Sequence, residues 1–222
     1  DEPLIFVEVA LVTGMADKVR PLIDPSVAVG DPKAADSAIF YSINNCLEGL
    51  RGVTLGNFLI KLVVADLARE LPDLKTYATL SPVPGLAAWL RRTLATADAR
   101  AVTPADRKLL AELDEPDWQN DAEQVERLRP VLCRLCAHYL VREKRNGRPL
   151  DAVARFHLGN GARLERINWL GDRSKKGMGE SFGILVNYKY DTGMIERNHE
   201  LFTNTGEVVT SSAVRALLPT AT

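Results

Sequence analysis

The sequence has little of several things, and each shortage excludes a class of protein. Three cysteines among 222 residues do not make the paired framework of a small secreted disulfide domain. The 28 basic and 29 acidic side chains leave a net charge of −1, which argues against binding nucleic acid by bulk charge. No apolar run is long enough to cross a membrane. We therefore expect neither nucleic acid nor a membrane as partner, and any anion site must be local.

Two familiar motifs are also missing. The chain has no Gly-Lys-Ser/Thr ending of a P-loop and no G-x-G-x-x-G dinucleotide fingerprint. A hydrophobic fraction of 46% is nevertheless ample for a packed core. A chain of this length fits one large domain or one domain with a sizeable insertion.

The most informative stretch is 50–61, a basic turn with two glycines. It follows a strand-like run, 38–43, and opens a helical run, 55–71. Free N–H groups and the helix dipole favour an anion at such a place, and Gly52 and Gly56 let the backbone approach it closely. The turn is either a phosphate site or an ordinary connection between a strand and a helix.

The remaining periodicity predicts an α/β chain with a helical insertion. Strand-like runs cover 4–12, 38–43, 74–80, 163–169 and 182–190, and helical runs cover 55–71, 86–94, about 122–144, 195–202 and 212–218. Between about 95 and 149 the composition is charged and helical, with Thr103 as an N-cap and Pro104 at the first helical position. Asp151 is predicted to cap a short helix, 152–158.

Three loops are predicted from local composition. Two prolines in 81–85 should end sheet pairing and leave Ser81 exposed at the end of its strand. The segment 174–179 has two glycines and two lysines and is predicted to be a mobile loop. The basic run 144–149 is predicted to be a solvated loop that ends the insertion.

The candidate polar groups, taken from the residues alone, are Ser42, Ser81, His157, Tyr188 and Tyr190. Histidine titrates near neutral pH and suits acid–base catalysis, although a lone histidine on a short helix is more often structural. His138 and His199 lie on charged helices that we expect to be exposed, and they rank lower.

Two further groups have a functional and a structural interpretation. Cys133-x-x-Cys136 looks like half of a metal site, but no second pair accompanies it and it lies in a helical run. We therefore interpret both as small buried thiols and predict no metal. Glu8 lies in the middle of a strand and either faces solvent or reaches a site.

Several separated segments together resemble the malonyl-CoA decarboxylase family, specifically its catalytic domain. They are Phe-Tyr-Ser-Ile at 40–43, the turn at 49–61, Thr-Leu-Ser-Pro-Val-Pro-Gly at 79–85, Phe-His-Leu-Gly-Asn-Gly-Ala at 156–162, Ile-Asn-Trp at 167–169 and Val-Asn-Tyr-Lys-Tyr at 186–190. The resemblance covers nearly the whole chain and is weakest in the helical insertion.

The resemblance implies an α/β (α+β) fold of the GCN5-related N-acetyltransferase (GNAT) type, a mixed central sheet flanked by helices. It makes 1–222 a single catalytic domain with the insertion at about 95–149. In the family a helical domain that helps assemble the oligomer precedes this one. We expect that domain to be absent from this chain, which begins with Asp1 rather than Met, and we expect a homo-oligomer of the full-length enzyme.

The resemblance also assigns a coenzyme A site and a catalytic group. The family's Arg/Gln-x-x-Gly-x-Gly/Ala turn, which holds the CoA pyrophosphate, maps to Arg51, Gly52, Val53, Thr54, Leu55, Gly56 and Asn57. Thr54 stands where many acetyltransferases have glycine. The catalytic serine and histidine map to Ser81 and His157, a tyrosine to Tyr190, and a serine in the strand before the turn to Ser42. Lys175 and Lys176 are expected in a solvated loop rather than on the CoA phosphates.

The implied reaction is the decarboxylation of malonyl-CoA to acetyl-CoA and CO2, with no metal or organic cofactor. The rival interpretations are a CoA-dependent acyltransferase, with Glu8 as its base, and a CoA-binding module without catalysis. No targeting signal is visible, which fits a bacterial cytoplasm, while a mitochondrial or peroxisomal location stays open.

Overall fold

A mixed sheet forms the centre of the fold. The structure, a computed structural model, describes residues 5–45, 55–96, 101–115 and 117–219. Within these ranges one six-stranded sheet has the order β1-β2-β3-β8-β4, with β7 paired to β8. Its strands are β1 (Ile5–Val12), β2 (Ser37–Asn45), β3 (Thr76–Thr79), β4 (Ser81–Pro82), β7 (Arg163–Asn168) and β8 (Leu185–Tyr190), and a separate hairpin joins β5 (Lys144–Arg145) to β6 (Arg148–Pro149).

Helices cover the sheet. They are α1 (Arg20–Ile23), α2 (Leu55–Glu70), α3 (Leu86–Ala95), α4 (Pro104–Leu110), α5 (Ala122–Val141), α6 (Ala152–Gly159), α7 (Lys175–Ser181), α8 (Ile195–Thr205) and α9 (Ser212–Leu217), with short 3-10 turns at Pro32–Ala34, Ala111–Asp114 and Trp118–Asn120. The prediction of a mixed sheet flanked by helices, with a helical insertion, is confirmed. No helix in the described ranges is long and apolar enough to span a membrane.

Helix α5 provides much of the core between the insertion and the sheet. Its inward face is fully buried at Leu128, Leu132, Leu135 and Leu140. Cys133 and Cys136 are buried free thiols on the same helix, and burial raises the pKa of Cys133 to about 11. No group of metal ligands occurs in the described part of the chain. The interpretation of these two cysteines as core residues is confirmed.

The predicted exit of the chain from the sheet at Ser81 is wrong. Ser81 pairs with Val186 and Pro82 with Leu185 as short strand β4, and Ser81 is only 5% exposed. Strand β4 pairs with β8 alone among the described strands, so it is an edge strand there. A proline is tolerated on an edge because its missing N–H leaves no partner unsatisfied on the open side.

Strands β2 and β3 run together only briefly. Their parallel pairing covers Ser37–Phe40 of β2 and Thr76–Thr79 of β3. Beyond Phe40, β2 continues along β1 to Asn45, while the chain after β3 follows β8. The two strands therefore separate at the level of Ser42 and Ser81, and a gap opens between them at this edge of the sheet.

The prediction of a mobile loop at 174–179 is wrong, whereas residues 144–147 of the basic run are exposed, as predicted for a solvated segment. Ser174 caps helix α7 by accepting the N–H of Gly177 at 3.1 Å. Gly177 is buried, and a Cβ there would lie 2.5 Å from the carbonyl oxygen of Asp172, so this glycine serves close packing rather than mobility. Lys175 and Lys176 are exposed on the helix. The basic run 144–149 is a hairpin that turns through Asn146 and Gly147, both of which have positive φ.

Arg166 joins β7 to the connection that follows β1. Its guanidinium donates to the Asn168 and Asn187 side chains, and to the carbonyl oxygens of Met15 at 2.6 Å and Ala16 at 2.9 Å. Asn187 in turn donates to the carbonyl oxygen of Thr79 at 2.7 Å. This network fixes β7 and β8 to the segment that follows β1 and to Thr79, two residues before Ser81.

Replacing Arg166 with alanine is expected to destabilise the fold by about 3 kcal/mol, because it removes the hydrogen bonds of a charged donor and leaves Met15 O and Asn168 Oδ1 without the donor described here. Urea unfolding measures the effect. The matched control is Arg69→Ala, which removes an exposed pair with Asp66 and should change stability by less than about 1 kcal/mol. Equal effects of the two variants would contradict the assigned role of Arg166.

Candidate active site

One face of the sheet presents a row of polar side chains. Side chains alternate along a strand, so Thr79 and Ser81 face the same side. Tyr188 and Tyr190 share a face of neighbouring β8, and all four side chains are at least 95% buried. The N–H of Tyr188 donates to Thr79 Oγ1 at 3.1 Å, so a side chain completes the ladder where β3 gives way to β4.

Helix α6 brings His157 onto this face. Asp151 caps the helix, as predicted, by accepting the N–H of Ala154 at 2.9 Å. The imidazole Nε2 of His157 lies 3.1 Å from Ser81 Oγ, and its Nδ1 lies 2.8 Å from Tyr190 Oη. Ser81 Oγ also lies 2.8 Å from Thr79 Oγ1. The structure thus joins three predicted site residues into one buried chain of hydrogen bonds.

The donor and the acceptor can be assigned in each of these hydrogen bonds. Among the described residues Tyr190 Oη bonds only to His157 Nδ1, and a buried O–H without an acceptor is costly, so we assign the phenol as the donor to that nitrogen. The ring proton of the neutral imidazole then lies on Nε2 and points at Ser81 Oγ. Ser81 donates onward to Thr79. In this arrangement each donor has an acceptor within the chain of hydrogen bonds: Tyr190 donates to His157, His157 to Ser81 and Ser81 to Thr79.

Burial keeps the imidazole neutral. Burial removes solvent from the ring and lowers the pKa of His157 from 6.5 to about 3. No interaction with an acidic group among the described residues contributes to this shift. The same burial raises the pKa of Tyr190, so the phenol keeps its proton. The expectation that His157 titrates near neutral pH is therefore wrong. At neutral pH the ring is a neutral imidazole, with one nitrogen as a hydrogen-bond donor and the other as an acceptor.

Two residues of this face were not assigned a role from the sequence. Thr79 lies two positions before Ser81, and strand alternation would have placed it on the same face. Tyr188 was a candidate without a role, and it stacks on His157 with ring centroids 4.8 Å apart. Its hydroxyl is buried without a partner among the described residues, and burial raises its pKa. The ring therefore orients the imidazole by packing.

Replacing Tyr190 with phenylalanine is expected to lower turnover by about ten-fold or more, because His157 loses the donor that holds its tautomer. Tyr188→Phe is the matched control, since it removes a hydroxyl that has no described partner; stability should stay the same or rise by up to about 1 kcal/mol. Steady-state kinetics and thermal unfolding measure both effects. A larger loss of turnover in Tyr188→Phe would contradict this assignment.

Other predicted residues lie elsewhere. Ser42 is half-buried on β2, directly opposite Glu8 of β1, and the hydrogen bonds of the Ser81–His157–Tyr190 chain do not include it. Glu8 is exposed, as expected for a solvated side chain. His138 and His199 are half-buried, not exposed; His138 pairs with Glu143 at 3.0 Å.

The predicted CoA turn falls mostly outside the described residues. This is the case for Arg51, Gly52, Val53 and Thr54, while Leu55, Gly56 and Asn57 form the start of helix α2, whose first side chains are not described. The assignment of these residues to a pyrophosphate stays a prediction. Of this assignment, the structure shows only that helix α2 follows strand β2 at the end where β2 diverges from β3.

The fold and this face together define a mixed α/β protein in which a serine, a histidine and a tyrosine are joined by buried hydrogen bonds. Over residues 1–222 the chain matches the family model described as "Malonyl-CoA decarboxylase C-terminal domain". The chain therefore belongs to the malonyl-CoA decarboxylase family, in which it corresponds to the C-terminal domain.

Individual relatives agree with the family match. Mitochondrial malonyl-CoA decarboxylase of Anser anser anser is 36% identical over 233 residues, which cover 96% of this chain and 46% of that protein. The mouse enzyme is 38% identical, with 85% of this chain and 42% of that protein covered. The crystal structure of malonyl-CoA decarboxylase from Rhodopseudomonas palustris is 50% identical with a TM-score of 0.95, and the match covers 98% of this chain and 50% of that one. The chain thus spans about half the length of these relatives.

Proposed function

We propose that this chain is the catalytic domain of a malonyl-CoA decarboxylase, which converts malonyl-CoA to acetyl-CoA and CO2. The proposal rests on the buried hydrogen bonds that join Ser81, His157 and Tyr190 in a polypeptide that belongs to this family. The relatives named above are malonyl-CoA decarboxylases. The gap between β2 and β3 supports a path for the thioester arm toward Ser81.

The proposed chemistry uses groups that are present in the site. The bond between the malonyl carboxylate and the α-carbon breaks, CO2 leaves, and the electron pair remains as an enolate whose charge lies largely on the thioester oxygen. Hydrogen-bond donors aimed at that oxygen stabilise it, so the reaction requires no metal or organic cofactor. His157 then donates its Nε2 proton to the α-carbon of the enolate. The C–H bond of the product is a far weaker acid than neutral imidazole, so this transfer is favourable. The protein regains the proton from solvent.

The other side chains have supporting roles in this proposal. Ser81 orients the malonyl group next to His157 and exchanges a proton with it. Tyr190 holds the imidazole in the tautomer that carries the proton on Nε2. Ser42, on the opposite side of the gap, contacts the departing carboxylate, and residues 51–57 bind the pyrophosphate of CoA at the start of α2. No observation favours the acyltransferase, because Glu8, its candidate base, is exposed.

The test is incubation of the protein with malonyl-CoA while CO2 and acetyl-CoA are followed together. Equal release of both products, lost in Ser81→Ala and His157→Ala, is expected. Transfer of an acetyl group from acetyl-CoA to an acceptor, without CO2 release from malonyl-CoA, would replace the proposal with the acyltransferase. Binding of malonyl-CoA without turnover by the full-length protein would replace it with a binding module.

A further inference from the structure

Asp151 is a buried carboxylate without a role in the chemistry above. Only 2% of its surface is exposed, and it lies immediately before helix α6, which carries His157. A carboxylate so deep in a protein is costly unless donors surround it. Its partners therefore show what it holds together.

One carboxylate oxygen fixes the start of α6. Asp151 Oδ1 accepts the N–H of Ala154 at 2.9 Å, and the helix dipole adds to this interaction. The cap anchors the first turn of the helix, from which His157 projects over the sheet in the following turn. The position of the imidazole therefore depends on this cap.

The other oxygen faces the segment that carries Ser81. A Cβ on Gly85 would lie 3.8 Å from Asp151 Oδ2 and 2.2 Å from Tyr139 Oη, so only glycine allows this approach. Burial raises the pKa of Asp151, and the nearby backbone N–H groups of Ala154, Val153 and Gly85 oppose that shift. Gly85 is in turn the N-cap residue of α3.

The chain between Ser81 and Gly85 is stiff. Pro82 and Pro84 each restrict φ, so a restraint at Gly85 is transmitted back to Ser81. Asp151 thus lies between the ends of two elements that are far apart in the sequence, one holding the catalytic serine and one holding the histidine.

We propose that Asp151 is a positioning residue, which links the Gly85 end of the Ser81 segment to the start of the His157 helix and thereby sets the separation of Ser81 Oγ from His157 Nε2. This inference rests on the proposed function for its kinetic consequence. Its structural consequence, the 3.1 Å contact, does not depend on which substrate is bound.

The decisive variant is Asp151→Ser. Serine keeps a short N-cap acceptor for α6 but cannot reach Gly85 as well. We expect kcat to fall by about 10- to 100-fold with KM nearly unchanged, because a small displacement of reacting groups has an effect of this size. The matched control is Asp121→Ser, which makes the same change at the exposed cap of α5, where Asp121 accepts from Glu123 and Gln124. This control should leave kcat unchanged.

Asp151→Asn is the second variant and keeps the size of the side chain and one acceptor oxygen. Its amide NH2 would face the Gly85 N–H, donor against donor, so we expect it to fold and to lose about three-fold or more in kcat. Normal kcat in Asp151→Asn, or equal losses in Asp151→Ser and Asp121→Ser, would overturn the proposal.

A readout independent of activity separates this proposal from the function. Nitrogen-15 NMR of the His157 ring and a crystal structure of Asp151→Ser should show the contact between Ser81 Oγ and His157 Nε2 opened beyond 3.1 Å. An unchanged contact would overturn the positioning role. If the wild-type protein failed to release CO2 from malonyl-CoA, the proposed function would fall, while the geometry in the variant would still decide the role of Asp151.

Discussion

Replacing His157 with glutamine is expected to lower kcat for malonyl-CoA decarboxylation by about 10²- to 10⁴-fold, the range that general acid–base catalysis provides. Glutamine approximates the length of histidine and can still bond to Ser81 and Tyr190, so the fold should survive. Its amide does not pass a proton from one atom to the other. The loss should therefore appear in kcat, with little change in the binding of malonyl-CoA.

The matched control for this variant is His138→Gln. His138 is a half-buried histidine on α5 that pairs with Glu143 and stacks on Trp89, and it makes no contact with Ser81 or Tyr190. Its replacement should leave kcat within about two-fold of wild type. Release of CO2 and acetyl-CoA is measured for both variants, with calorimetry to check folding. Near-normal turnover in His157→Gln would contradict the assignment of His157 as the proton donor.

Acidification is expected to destabilise the fold through His157. The folded-state pKa is about 3, and the reference value is 6.5. Between these two values the unfolded chain binds a proton that the folded chain does not, so stability is lost as the pH falls from about 6.5 toward 3. The slope is about 1.4 kcal/mol per pH unit, or roughly 2 kcal/mol by pH 5. Above pH 7 the residue should make no pH-dependent contribution.

His157→Gln isolates this contribution from that of other groups. Urea unfolding of the wild type and the variant at pH values from 7 to 4 gives the difference in stability at each pH. That difference should shift in favour of the variant as the pH falls, since glutamine has no proton to bind. Parallel curves would show that His157 is solvated or paired in the folded state, and the neutral imidazole assigned to the site would then be wrong.

Much of the site followed from separated motifs in the sequence. The segments around Ser81, His157 and Tyr190 each resemble the same family, so their meeting in space was predicted before any distance was known. The strands β1, β2, β7 and β8 and the helices α2, α3 and α5 agree with the predictions to within a few residues, because hydrophobic periodicity is strong in all of them. The cap residues Thr103 and Asp151 were predicted by the local chemistry of helix starts.

The wrong predictions of the chain path have different causes. Pro82 stays in the sheet because its strand is an edge, which depends on the order of distant strands. Helix α7 has a local signal at its start, the Ser174 cap, which the prediction from two glycines and two lysines did not use.

The sequence by itself predicted the family and the mixed α/β class and selected Ser81, His157 and Tyr190 as candidates, because a resemblance to a family is carried by residue types in separated segments. The tertiary structure alone showed the burial of His157, the partners of its two ring nitrogens and the places of Thr79, Tyr188 and Asp151 around it. The physical reason is that a pKa and an orphaned hydroxyl depend on burial and on neighbours brought from other parts of the chain. Such neighbours exist only once the sheet has formed and α6 has packed over it.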